Sequence, residues 1–259
     1  TDPDGPGTGG GGGNEASLLV KTAIQLNQND SSITNYGYDA QGRLIRFWQS
    51  GNDNVLNDPD EIVILRSNGG VIQTFTVNED PGSSSATTVY SVYNEGGRYT
   101  AKVSQEVVAG STYRDSLVYV YNGAGQISEA IYYVSIDGSP FADWAKNEFV
   151  YSGNGNLTAY KSYYLDVNTM TYEQANDVIV EYDDKPSPLV LGAEAIVLDK
   201  VDFLSPNNIE KITITDLEDP ASNDVVDYTY VYNDKNKPAT ASVTFQSIGL
   251  PIPVTFHYQ

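Results

Sequence analysis

Apolar and polar residues alternate in short runs along much of this chain, the period-two pattern of half-buried β-strands. Val226, Tyr228, Tyr230 and Tyr232 share one face of such a run, against Val225, Asp227, Thr229, Val231 and Asn233 on the other. Ala241, Val243 and Phe245 oppose Ser242, Thr244 and Gln246 in the same way. Residues that suit a pleated surface (Tyr, Val, Ile, Thr) crowd the stretches Ser116–Tyr121, Gln126–Ile136 and Val225–Tyr232.

Between these runs one turn recurs. It reads YDAQGRL (Tyr38–Leu44), LRSNGGV (Leu65–Val71), YNEGGRY (Tyr93–Tyr99), YNGAGQI (Tyr121–Ile127) and YSGNGNL (Tyr151–Leu157), with starts 27, 28, 28 and 30 residues apart. Two worn copies follow, YDDKPSP from Tyr182 and YNDKNKP from Tyr232, the second after a spacing of 50. A fixed period of this size marks one supersecondary unit copied along the chain. Asn or Asp starts such a turn by accepting from the backbone two residues on, and Gly supplies the positive φ that closes it. The unit is therefore a β-hairpin. Longer polar loops separate the hairpins at Gly51–Asp60, Asn78–Ala86, Ala109–Asp115 and Asp166–Thr171, so tight turns should gather at one end of the sheet and long loops at the other.

Counting both arms of every unit predicts roughly 14–16 strands in an all-β antiparallel meander, under a tenth of it helical. A sheet that wide twists until it curls or closes, so it should be strongly curved or barrel-like. Leu189–Leu204 breaks the pattern as an apolar-rich run after two prolines. It reads either as a short helix and strand that plug the sheet or as a widened loop.

Charge narrows the partners. The 259 residues carry 14 basic and 34 acidic side chains, net −20. That argues against nucleic acid, whose binding rests on Lys and Arg, and against electrostatic attachment to anionic membranes. No apolar stretch approaches the ~20 residues of a membrane helix. A transmembrane barrel would need an apolar outer belt, whereas Thr100, Lys102, Ser104 and Glu106 share one strand face. Residues 1–14, mostly Gly, Pro, Asp and Thr, read as a flexible Gly-rich tether ahead of a single β-hairpin-repeat domain, 15–259. The tether suggests the mature end of an exported protein, or an added linker.

The catalytic inventory is thin. There is no Cys, and His257 is the single His, placed in the alternating tail VTFHYQ. The run GTGGGGG has the glycines of a phosphate loop without the strand before it or the helix after it. We therefore expect a protein that is not an enzyme and carries no cofactor. One candidate metal site stands out: Asp53, Asn57, Asp58, Asp60 and Glu61 set hard oxygens in a single loop, the ligand type Ca2+ prefers, though not at EF-hand spacing. A solvated acidic loop is the plainer reading of the same residues. Asp216–Asp224 is a lesser candidate for Ca2+. Most of the 20 Tyr sit at strand positions, where cross-strand packing is their ordinary role. Phe141 and Trp144, near the loop end, are the aromatics best placed for a partner-binding surface.

Two resemblances bear on function. YDAQGRL is similar to the Tyr-Asp (Rhs-type) repeat of large β-shells. The ordered blocks YDDKPSPL (Tyr182–Leu189), FLSPNNIEKITI (Phe203–Ile214) and YTYVYNDKNKPATASVTF (Tyr228–Phe245) resemble a Bacteroidetes lipoprotein domain family of unknown function with a porin-like fold. Lys235-Asn236-Lys237 departs from it where a Gly turn is usual, so a looser last hairpin is expected. The resemblance implies a lipid anchor, a barrel-like sheet, and an outer-membrane address on the cell-surface or periplasmic side. The leading expectation is a non-catalytic, lipid-anchored interaction or scaffold subunit docked on an outer-membrane protein partner. The alternative is a surface glycan- or nutrient-binding lipoprotein of an uptake system.

Overall fold

The computed structural model describes residues 18–25, 31–51, 61–78 and 87–259. Sixteen strands fill most of them. The first eight are β1 (Leu19–Gln25), β2 (Ser31–Tyr38), β3 (Leu44–Gly51), β4 (Glu61–Arg66), β5 (Ile72–Asn78), β6 (Thr87–Glu95), β7 (Arg98–Val108) and β8 (Ser111–Tyr121). The second eight are β9 (Ile127–Ile136), β10 (Ala142–Tyr151), β11 (Leu157–Asp166), β12 (Thr171–Pro186), β13 (Asn207–Asp216), β14 (Asp224–Tyr232), β15 (Pro238–Phe245) and β16 (Pro251–Tyr258). Each pairs antiparallel with its chain neighbours, and β1 pairs with β16 through Lys21↔His257 and Ala23↔Thr255. The sheet is therefore a closed barrel with no free edge. Among the described residues helix is confined to α1 (Ala193–Val197) and two 3₁₀ turns, Val201–Phe203 and Pro220–Ser222.

Turn chemistry is what the sequence predicts. After β8, Asn122 Oδ1 accepts from the N–H groups of Ala124 and Gln126, both at 3.0 Å, while Gly125 closes the turn at φ +78. The worn copy after β14 is no looser. Asn233 Oδ1 accepts from Lys235 and Lys237 at 3.0 Å, and Asn236 takes the left-handed backbone at φ +58. Asn is the residue that tolerates this conformation best after Gly, because its short polar side chain bonds locally.

A register shift sits just before the turns, at Gly37/Tyr38, Val120/Tyr121, Val150/Tyr151 and Val231/Tyr232. Such a bulge re-aims the side chain beside it. Tyr38, Tyr121, Tyr151, Tyr182 and Tyr258 then donate to the carbonyls of Leu19, Tyr99, Ile127, Leu157 and Pro238 at 2.6–2.9 Å. Each acceptor lies at the start of a neighbouring return strand, so the first residue of one repeat ties it to the hairpin before. Arg66 occupies the same slot, donating from Nε and Nη2 to the Leu44 carbonyl at 3.0 and 2.8 Å. The repeat in this hairpin is thus phased on Arg66, one residue later than its apolar first position suggests, and Leu65 is left 60% exposed.

The tight turns share one end, as expected, but the far end is mixed. Ala109 and Gly110, at φ 51 and 91, join β7 to β8 by themselves, and residues 111–115, expected in a loop, continue as strand. Beyond their strand-end residues Gly51 and Asn78, the loops expected at Gly51–Asp60 and Asn78–Ala86 lie outside the described residues. The longest described connection, residues 187–206, belongs to the tight-turn end. It turns inward as a plug, with short helices and no strand. Ala195, Ile196, Val197 and Leu198 are buried in one cluster with Leu19, Leu44, Ile72, Ile127 and Leu157. The last four close or directly follow their turns, so the repeat supplies an apolar collar and the plug fills it. A sixteen-strand barrel is too wide to be filled by its wall side chains alone.

Candidate functional site

The plug is held by charge as well as packing. Arg66, 6% exposed, donates to both carboxylate oxygens of Glu194 at 2.7 Å. The Tyr99 hydroxyl adds a bond to Glu194 Oε1 at 2.8 Å. Deeper in the lumen, Lys102 is 5% exposed, pairs with Asp199 and donates to the Val197 carbonyl at 3.1 Å. Its ammonium also lies 5.3 Å from the Tyr90 ring and 5.7 Å from the Phe75 ring, an attractive placement over aromatic faces. A buried cation is tolerated only when so many groups receive it. At the rim, Lys237 donates to the Ser187 carbonyl at 2.6 Å.

Above the plug the described residues leave the lumen unfilled. A cavity of about 420 Å3 runs from Pro188, Asp199, Lys200 and Asp202 on the plug to Ile24, Phe245 and Ile252 near the loop end. Aromatic rings line its sides, with Tyr228 stacked on Tyr230 at 6.3 Å and Phe47 on Phe203 at 6.2 Å. A smaller polar chamber of about 210 Å3 lies between Lys102, Asp115, Tyr132 and Asn147. Among the described residues two buried side-chain atoms lack a hydrogen-bond partner, the Tyr119 hydroxyl and Asn208 Oδ1; Asn208 borders the larger cavity.

The lumen tyrosines stay neutral. Burial pushes the Tyr228 phenol up from its ordinary value, and the Asp202 carboxylate pushes it further. Tyr230 is raised by burial and then by the flanking Tyr228 and Tyr232. Tyr182 is pushed up to about 12, mainly by burial. These groups keep their protons at physiological pH, and the Tyr182 and Tyr230 hydroxyls donate theirs to the carbonyls of Leu157 and Ile209 at 2.8 Å.

The outer wall mixes exposed apolar residues, Val63, Val120, Val150, Ile179 and Val231 among them, with a row of charges. Glu148 pairs across the sheet with Glu129 and Lys161, and Lys161 with Asp177, all alternate to the inward Phe149, Ala130, Tyr160 and Val178. Lys146–Glu148 at 2.6 Å and Lys211–Glu181 at 3.4 Å add ion pairs to the same side. A Lys facing lipid near the bilayer midplane costs about 2–4 kcal/mol in an outer-membrane barrel, and a carboxylate less, so this row suits water rather than hydrocarbon. No helix among the described residues is long and apolar enough to cross a membrane.

Of the residues singled out in the sequence, Asp53, Asn57, Asp58 and Asp60 lie outside the described residues. Glu61 heads β4, where its Oε1 accepts from Arg46 Nε at 2.6 Å while the Arg46 guanidinium covers Trp48 at 4.6 Å. Phe141 and Trp144 are 42% and 55% exposed and line neither cavity; Arg114 packs over Phe141 at 5.4 Å. Asp216 and Asp219 spend their carboxylates on their own loop, accepting from Glu218 and Ala221. The lumen group of Asp202, Asn208, Tyr228 and Tyr230 was not singled out by sequence. Its signal was there in the Tyr228–Tyr232 face, which reads as packing until the barrel closes around a void.

A closed, plugged, sixteen-strand antiparallel meander is the class this fold defines. Among solved structures of similar fold are two porin-like proteins. A porin-like protein from Bacteroides vulgatus ATCC 8482 superposes with a TM-score of 0.55 at 13% identity, covering 94% of this chain and 99% of that one. A porin-like protein from Bacteroides uniformis ATCC 8492 gives 0.56 at 11% identity, covering 93% and 98%. At that identity the likeness is one of fold. No protein-family model matches the sequence, and no curated protein does.

Proposed function

We propose that this is a non-catalytic binding barrel, standing in water at the outer membrane or cell surface and holding a small ligand in its lumen. The observation that carries this reading is the cavity of about 420 Å3 above the plug, which falls in the range of small-molecule sites and has their apolar, aromatic lining with few polar groups. Of the two classes the sequence suggests, the lumen favours the nutrient-binding one over a scaffold subunit. The row of charges on the outer wall supports a barrel beside the membrane rather than across it, and attachment through a lipidated N-terminus remains part of the proposal. The test is an environment-sensitive apolar fluorophore titrated against the full chain and against Val243→Trp, which fills the cavity. Saturable binding that Val243→Trp abolishes, at unchanged melting temperature, supports the lumen site. Equal binding by both proteins overturns it.

Exposed Phe141 and Trp144 keep a second reading alive, docking of an outer-membrane protein at the loop end. Substituting both by Ala should weaken capture of that partner from native membranes with the melting temperature within about 2 °C, because surface changes of this kind shift stability little. Unchanged capture removes this reading.

A further inference from the structure

We infer that the ligand is an elongated amphipath with an uncharged, hydroxyl-bearing head, seated head-down on the plug with its apolar body toward the loop end. This deepens the lumen reading above and rests on it. The cavity is graded along its axis. Toward the loop end its wall is Ile24, Val243, Phe245, Ile252 and Val254, with no charge among them. From Ala241 to Phe245 that wall runs about 13 Å along the strand, room for a chain on the order of ten carbons. At the plug the lining changes to Asp199, Lys200, Asp202 and Asn208. A ligand polar throughout would leave the upper wall uncomplemented, and one apolar throughout would bury the floor against hydrocarbon.

The head is uncharged because the floor has no charge to spare. Asp199 is already paired with Lys102, and Lys200 and Asp202 are both engaged. A charged head of either sign would give up part of its hydration for groups whose charge is already engaged, a net cost. An anionic head also meets Asp202, whose carboxylate already acts on the Tyr228 and Tyr230 hydroxyls, in a chain of net charge −20. The head is a donor because an acceptor waits for one. Asn208 is 2% exposed, and its Nδ2 donates to Asp183 and to the Lys185 carbonyl at 3.2 Å. Its Oδ1 has no partner. Oδ1 is buried at the cavity wall, so a ligand hydroxyl satisfies this unpaired atom once the Asn208 side chain turns toward the lumen.

The experiment uses three twelve-carbon probes below their micellar concentrations: a monoacylglycerol, the fatty acid, and the trimethylammonium amphipath. Each displaces the apolar fluorophore from the full chain at pH 7 and 150 mM salt. The monoacylglycerol should bind at least about tenfold more tightly than either charged probe. Asp202→Asn should raise the affinity of the fatty acid several-fold relative to that of the monoacylglycerol. A fatty acid that binds as well as the monoacylglycerol, or affinities indifferent to the head, overturns the inference. So does failure of all three probes while a free sugar binds and Val243→Trp blocks it, an outcome that keeps the lumen site and discards this ligand class. Binding that Val243→Trp leaves intact discards the lumen site itself.

Discussion

Removing the carboxylate of Glu194 should unseat the plug. Arg66 is 6% exposed and donates to both Glu194 oxygens at 2.7 Å, so Glu194→Ala leaves a cation in the collar without its paired carboxylate, with only the weaker field of Asp39 opposing it. Breaking one side of a buried pair typically costs about 3–5 kcal/mol. The lower end applies here, because Arg66 keeps its bonds to the carbonyls of Leu44 and Gly70 at 2.8–3.0 Å. About 3 kcal/mol corresponds to a fall in melting temperature of roughly 6–12 °C for a chain of this size. The penalty comes chiefly from the orphaned charge, so Arg66→Met combined with Glu194→Leu should recover more than half of it. Circular dichroism at 218 nm, followed through heating and through urea, measures all three proteins. A Glu194→Ala variant melting within 1–2 °C of the parent would refute the claim that this pair holds the plug. A double variant no more stable than the single one would refute the assignment of the cost to unpaired charge.

Three further outcomes are expected. Tyr151→Phe deletes the hydroxyl that donates to the Ile127 carbonyl at 2.8 Å and should cost about 1 kcal/mol in urea denaturation, with the slope unchanged. Above pH 10.0 the unfolded chain ionises at tyrosine while Tyr182, raised to about 12 by burial, keeps its proton in the fold; stability present below pH 10 is therefore lost between 10 and about 12, and Tyr182→Phe should flatten that loss in urea midpoints. Glu148 is held below its ordinary 4.5 first by its hydrogen bond from Lys146, so its contribution is complete above that pH and disappears as pH falls through the lowered value; Lys146→Met should remove that part of the acid-side dependence of the urea midpoint.

The hairpins were legible in the sequence because their determinants are local. Asn122 and Gly125 act within one five-residue turn, and Asn233 with Asn236 do the same without a glycine. Alternation along β14 and β15 likewise belongs to single strands. The misplaced phase at Leu65 shows where locality ends. That slot is defined by a donor reaching the carbonyl of the hairpin before, and Arg66 meets the requirement where the pattern suggests an aromatic. Residues 111–115 show it again, since Ala109 and Gly110 both reach positive φ and leave no need for a longer loop.

Only the tertiary structure decided closure, the plug and the lumen. Closure depends on twist summed over sixteen strands until β1 meets β16, a total that no single window of sequence contains. The plug depends on Arg66 finding Glu194, 128 residues away. Tyr228 and Tyr230 carry the same alternation whether they pack a solid core or line a cavity. The residues set which face turns inward, and the width of the closed barrel set what that face would meet.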